Sequence, residues 1–174
     1  NSLVANMRLI SKVYFPRLVV PIATTVTGLV DFAICFVILL GFMAFHGLTP
    51  AWAGLLAPVF VFLALAAALG LGLWLACLSV KFRDVAFGVN YLISLWFFAS
   101  PVIYDAGRFD LSSRLGLLYR LNPMTVALDG FRWSLFGVGR APDGVSLLSA
   151  LLVALFLVSG AFVFRRTERT IVDV

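Results

Sequence analysis

From Phe32 to Val80 the chain carries no Asp, Glu, Lys or Arg, and two further charge-free runs follow, Val85 to Tyr104 and Gly144 to Phe164. An α-helix rising 1.5 Å per residue needs roughly 20 apolar residues to cross about 30 Å of hydrocarbon, where every backbone N–H and C=O must be satisfied within the segment. The pattern predicts an all-α polytopic transmembrane protein with four spans, near residues 18–45, 52–80, 85–103 and 145–164. Pro21 falls in the first turn of the first span, where its missing N–H costs little, and residues 46–50 form a tight turn. The second run is longer than the bilayer requires and is expected to tilt or to project into water. The whole chain, 1–174, reads as one transmembrane domain: a cytosolic segment 1–17, three spans within 18–104, external helices within 105–143, a last span 144–164 and a cytosolic tail 165–174.

The segments between the spans have patterns of their own. Residues 1–17 place Leu3, Met7, Ile10 and Tyr14 at helical spacing, with Arg8, Ser11 and Lys12 elsewhere on the wheel, and Pro16 stops the helix near Phe15. In the external segment Asn122 is placed to cap a helix beginning at Pro123 and ending at Gly137. Its expected apolar stripe is Met124, Leu128, Phe131 and Leu135, opposite Thr125, Asp129 and Arg132. About 14 residues cannot span, so this helix and the run Ser112 to Arg120 are expected to form a hairpin lying in, or dipping into, the outer interface. Ala68, Gly72 and Ala76, and likewise Ser146, Ala150 and Ala154, recur at spacing four and predict close-packed helix faces.

Composition agrees with the membrane reading: 63% apolar against 12% charged residues is far from the balance of a soluble domain. The net charge of +5 does not point to nucleic acid, because the basic residues flank apolar spans instead of forming a face with stacking aromatics. Arg8, Lys12 and Arg17 precede the first span, Lys81 and Arg83 follow the second, and Arg165, Arg166 and Arg169 follow the last, while the first turn has none. That asymmetry places both ends in the cytosol. The external segment holds five Arg but also four Asp: Asp105, Asp110, Asp129 and Asp143. Cys35 and Cys77 sit in apolar runs and are expected to act as small hydrophobes. With two Lys, one His and no G-x-x-x-x-G-K-[ST] loop, the chain offers little for a metal site, a Ser–His–Asp device or an ATPase. No catalytic or metal residue is expected, and energy for any work is expected from another subunit. The chain begins at Asn1 without a cleavable signal and reads as a piece of a longer protein.

Two sites inside the spans carry polar chemistry. Asp31 lies near the centre of the first span, where a carboxylate costs roughly 2.5–3.5 kcal/mol, so it should face protein or water. It is either functional or bonded to a neighbouring helix, for which Asn90 and Ser94 are candidates. On the third span Phe87, Asn90, Tyr91, Ser94 and Phe98 share one face at helical spacing. Such a face can line a path, its rings against sugar faces and Asn90 and Ser94 bonding hydroxyls, or it can be a helix interface held by two small polar groups.

Several short pieces occur in order: Leu9–Arg17 (LISKVYFPR), Pro21, Asp31-Phe32, Lys81-Phe82-Arg83-Asp84-Val85, Ser100-Pro101-Val102-Ile103-Tyr104, Leu121-Asn122-Pro123-Met124 and Phe164-Arg165-Arg166-Thr167-Glu168-Arg169. Together they resemble the permease subunit of bacterial type-2 ABC exporters, most closely the branch exporting O-antigen, capsule and teichoic acid. The resemblance implies a six-span permease, of which this chain covers the last four spans and the cytosolic segment before them. It implies a homodimer in the bacterial cytoplasmic (inner) membrane, exporting a lipid-linked polysaccharide with two copies of a separate ABC ATPase subunit that binds ATP and magnesium. Lys12, Tyr14, Phe15 and Arg17 would belong to the coupling helix seated on that subunit, and Lys81, Arg83 and Asp84 to a second contact with it. From the residues alone, Arg8, Lys12 and Arg17 are equally basic anchors on membrane lipids. Asn122, Pro123, Asp129 and Arg132 would belong to an external gate, and no cofactor is implied on this chain. An exporter of drugs or small lipids on the same fold, and a membrane-embedded glycan acyl- or glycosyltransferase, are the alternatives.

Overall fold

The computed structural model describes residues 19–50, 52–103 and 114–172. Among them are six α-helices and no strand: α1 Val19–Phe45, α2 Ala57–Lys81, α3 Arg83–Ala99, α4 Arg114–Leu121, α5 Pro123–Phe136 and α6 Gly144–Val172, with a 3-10 turn over Trp52–Leu56. Residues 1–18, which hold the proposed coupling residues Lys12, Tyr14, Phe15 and Arg17, lie outside the described residues.

Three helical stretches are long and apolar enough to cross a bilayer: Pro21–Phe45, Trp52–Lys81 and Gly144–Thr167. Their ends follow from local chemistry. α1 closes in a Schellman motif, with Gly47 at φ 67°, the Gly47 N–H on the Ala44 carbonyl at 3.1 Å and the Leu48 N–H on the Met43 carbonyl at 2.8 Å. Within α1 the hydroxyls of Thr24 and Thr25 donate to the Pro21 carbonyl and that of Thr27 to the Ala23 carbonyl, so the helix satisfies its own polar groups.

The third expected span is shorter than its charge-free run. α3 has 17 residues, about 25 Å, near the lower limit for crossing, and it stops at Ala99 instead of continuing to Ile103. Pro101 accounts for the stop, because it disfavours helical backbone at Ser100. In the opposite sense, α6 does not end at Phe164; its helix continues through Arg165 and Arg166 to Val172.

The chain divides into two compact units. One comprises, among the described residues, 19–49, 68–87 and 157–172. Its core is Leu73 and Cys77 of α2 against Phe164 of α6, flanked by Ala76, Ala161 and Val163. The helices meet at glycine, but not at the expected stripe: a Cβ on Gly160 would stand 3.0 Å from the Gly70 carbonyl oxygen and 3.1 Å from the Trp74 ring. Trp74 donates its indole N–H to the Ser159 hydroxyl at 3.2 Å beside this contact. Gly72, in the expected stripe, faces open space.

The other unit comprises, among the described residues, 50, 52–67, 88–103 and 114–156. Here α5 packs on the 3-10 turn and on α2 through small residues: Thr125, Val126, Ala127, Gly130, Ser134 and Leu135 are buried. This corrects the expected stripe, of which Leu135 is buried whereas Met124, Leu128 and Phe131 are half-buried. Small side chains let the Phe60 ring approach the α5 backbone, a fit that apolar periodicity alone does not reveal. Along α6 the buried positions in this unit are Ser149 and Val153, not Ser146, Ala150 and Ala154.

Candidate functional site

α3 carries the polar and aromatic row. Phe87, Asn90, Tyr91, Ser94 and Phe98 are all exposed, Tyr91 the most of the three rings at 76%. Exposure is not confined to that face, since every residue from Asn90 to Ala99 is exposed, Leu92 included. The face therefore stands out by chemistry, with flat rings and small uncharged polar groups in place of aliphatic side chains. The Ser94 hydroxyl donates to the Asn90 carbonyl of its own helix at 2.9 Å, so it is satisfied without a neighbouring helix. The Phe98 ring packs edge-on against Phe97, 5.7 Å between centroids.

Beyond Ala99 the chain turns sharply, with the Val102 N–H bonded to the Ser100 carbonyl at 2.7 Å and with Ser100 and Pro101 buried. Two of the four expected gate residues, Asn122 and Arg132, reach this turn. Pro123 opens α5, and the Asn122 side chain caps it, its Oδ1 accepting the Met124 N–H at 3.1 Å. The other end of the same amide donates to the Ala99 carbonyl at 3.4 Å and to the Ser100 hydroxyl at 3.3 Å. Arg132 donates from Nη2 to the Val102 carbonyl at 3.1 Å. Asp129 is half-buried on the same helix, and its backbone carbonyl lies beside Gly139, whose φ of 103° suits glycine.

A second polar joint was missed at the level of sequence. Arg120, in the last turn of α4, pairs with Asp143, the residue before α6. Asp143 also caps α6, its Oδ1 accepting from the Ser146 N–H and hydroxyl at 3.0 Å each, while the Asp143 N–H donates back to Ser146 Oγ at 3.3 Å. Partial burial pushes the Asp143 carboxyl up, but the Ser146 bonds and the Arg120 charge outweigh it and hold it below its ordinary value. The Asp-x-x-Ser spacing ahead of an apolar run was the signal that could have found this cap. Ser149, fully buried, donates from α6 to the Leu121 carbonyl at the end of α4, at 3.3 Å.

At the other end of α3, a single residue, Phe82, separates it from α2. The Phe82 N–H bonds the Leu78 carbonyl at 2.8 Å and the Val85 N–H bonds the Phe82 carbonyl at 3.2 Å, so the backbone bonds run almost unbroken through the turn. Lys81 and Asp84 are exposed, and the Lys81 ammonium stands 5.5 Å from the Phe82 ring centroid. The Asp84 carboxylate suits the positive start of α3. Arg83 begins α3, and its side chain lies outside the described residues.

Asp31 is exposed on α1, and among the described residues no ion pair or hydrogen bond engages it. Of the residues 21–45 in α1, Met43 alone is buried. The described residues hold no group of three or more His, Cys, Asp or Glu that could bind a metal.

Long apolar helices joined by short polar turns define a polytopic α-helical membrane protein. The family of ABC-2 type transporters matches residues 6–136, most of the sequence, and the chain belongs to that family. An O-antigen export system permease protein RfbA of Myxococcus xanthus is 34% identical over 163 residues, covering 92% of this chain and 62% of that protein. Two proteins of the same name from Klebsiella pneumoniae are each 26% identical over 132 residues, 75% of this chain and 50% of theirs. The chain thus spans between half and about three fifths of the length of these relatives.

Proposed function

We propose that this chain belongs to the membrane subunit of an ATP-driven exporter that moves a lipid-linked polysaccharide outward across the bacterial inner membrane. The observation that carries the reading is the row Phe87, Asn90, Tyr91, Ser94 and Phe98, exposed on α3. A glycan presents apolar ring faces and hydroxyls in alternation. A path along which it slides needs flat aromatics, a few hydrogen-bonding groups and no fixed charge to trap it. The run Val85 to Tyr104 contains no Asp, Glu, Lys, Arg or His. The chain's similarity to O-antigen export permeases supports the same substrate class.

Hydrolysis takes place on a separate ABC ATPase subunit, which binds the ATP and magnesium. Residues Lys12, Tyr14, Phe15 and Arg17 together with Lys81, Arg83 and Asp84 form its seat. Because one residue joins α2 to α3, a push on Lys81–Asp84 acts on both helices at once. A second copy of the permease completes the pathway, and the uncovered α1 with Asp31 is suited to face it or the pathway. Both ends of this chain lie in the cytosol, and α4 and α5 lie at the outer face, where Asn122, Pro123, Asp129 and Arg132 form the gate.

The test is reconstitution of the full-length permease with its ATPase subunit in proteoliposomes. ATP-dependent movement of a lipid-linked polysaccharide across the bilayer is the expected result. Movement of amphipathic drugs or short lipids with the polysaccharide left behind would contradict the substrate class. Glycan or acyl transfer by the permease alone would contradict the transport reading.

A further inference from the structure

The joint between α3 and α5 is built from one amide used in two directions. The Met124 N–H is an unambiguous donor, so the oxygen of the Asn122 amide must face it, 3.1 Å away. The Nδ2 group is thereby turned toward the end of α3, where it reaches the Ala99 carbonyl and the Ser100 hydroxyl. A helix leaves its last carbonyls without partners inside the helix. Asn122 thus caps the start of α5 and the end of α3 together, beside a Ser100–Pro101 turn that is buried. Arg132 adds a second hold on the same turn, at the Val102 carbonyl. The two residues are ten positions apart on or beside α5, about 15 Å along its axis. On the α3 side both anchors grip residues 99–102, so they tie the end of α3 and the turn after it to two well-separated points of α5.

We propose that Asn122, with Arg132 as the second anchor, is a positioning residue that couples the C-terminal half of α3 to α5, so that the two helices move as one body during the transport cycle. The aromatic and polar face of α3 then turns whenever the external hairpin does. The effect on export rests on the reading of that face as the glycan path; the mechanical coupling does not.

Asn122→Asp separates the two caps. A carboxylate still accepts the Met124 N–H and is a good N-cap, so α5 keeps its start. It has no donor for the Ala99 carbonyl and sets a negative charge against it, while the Ser100 hydroxyl turns round to donate to the carboxylate, so the bond specifically lost is the one to the end of α3. Arg132→Ala removes the second anchor without touching either cap.

The experiment uses full-length permease in complex with its ATPase, in nanodiscs, with Cys35→Ser and Cys77→Ala as background and spin labels at Ile93→Cys on α3 and Phe136→Cys on α5. Labelled copies are diluted into unlabelled ones, and the distance between labels is measured by pulsed electron resonance without nucleotide and in the vanadate-trapped state. With Asn122 and Arg132 in place, one narrow distribution, the same in both states, is expected. Asn122→Asp and Arg132→Ala should each broaden it about twofold or make it depend on nucleotide, and should lower polysaccharide exported per ATP hydrolysed. A parent distribution that shifts with nucleotide overturns the proposal, as does one unchanged in the double variant. Broadened distances with export per ATP intact would keep the coupling and remove only the reading of the α3 face.

Discussion

The ring of Phe60 lies over Gly130, in the space where a side chain at position 130 would begin. Both residues are buried, and the contact sets α5 directly on α2. Ala127 and Ser134, about one turn to either side, are buried with it, so the helix docks by the smallness of its residues. A hairpin seated this way is held by shape and not by a large apolar stripe, and its position is sensitive to single methyl groups.

Gly130→Ala should therefore destabilise the protein by about 1–3 kcal/mol, because the new Cβ must displace the Phe60 ring. Gly72→Ala is the control: its Cβ would meet open space in the middle of α2. That change should be neutral or stabilising by roughly 0.5–1 kcal/mol, since Ala is the better helix former. Apparent melting temperatures in detergent, followed by monodisperse elution after heating, would check the opposite signs.

Gly160 meets the Gly70 carbonyl more loosely, at the edge of tolerable Cβ contact. Gly160→Ala should cost little, whereas Gly160→Leu should push α6 from α2 and break the bond between Trp74 and Ser159. A red shift in the fluorescence of the Leu variant, absent in Ala, is the expected signature in a background whose other three Trp residues, Trp52, Trp96 and Trp133, are replaced by Phe.

The Arg120–Asp143 joint predicts a dependence on pH. Because the Asp143 carboxyl is held below its ordinary value, its contribution is fully present above about pH 4 and is lost as pH falls through the lower native value. Partial exposure keeps the ion pair within about 1 kcal/mol, and the helix cap adds about 1 kcal/mol. Asp143→Ala, which loses both, should lower the melting temperature more than Asp143→Asn, which keeps a capping oxygen. The Asn variant should also lose the acid-dependent part of the decline below pH 4. Equal effects of the two substitutions would show that the cap contributes nothing.

Much of this architecture was legible because bilayer chemistry leaves few choices. The end of α1, the Asn122 cap with Pro123 behind it, and Gly137 at φ 65° after α5 all follow from residue types whose backbone preferences act locally. What was not legible depends on which neighbour a residue meets. Gly70 rather than Gly72 takes the close contact with Gly160, although both occur in the same helix at similar spacing. Gly130 and Ser134 carry the α5 interface while the larger Met124 and Phe131 stay half-buried, because the partner surface is the Phe60 ring and the 3-10 turn. The proposed gate residues Asn122 and Arg132 were visible as polar groups at the start of and within a short helix. Their shared target, the turn after α3, was not, since Ser100 and Val102 lie far from them in sequence.

The proposed orientation makes a direct prediction about access. In the full-length protein in intact cells, a single cysteine at Val138, in the turn after α5, should react with an impermeant thiol reagent. One at Phe82, in the turn between α2 and α3, should react only after the membrane is permeabilised. The reverse pattern would place the hairpin in the cytosol and remove its role as an external gate.

The central claim is that the aromatic and polar face of α3 touches the exported chain. Its most direct test is the amount of polysaccharide exported per membrane-inserted permease in cells carrying Tyr91→Ala or Leu92→Ala, two exposed neighbours about 100° apart on the helix. Tyr91→Ala should lower export severalfold at unchanged permease level, while Leu92→Ala should leave both near the parent value. Export that falls only in proportion to the permease, or falls equally in the two variants, would contradict the claim.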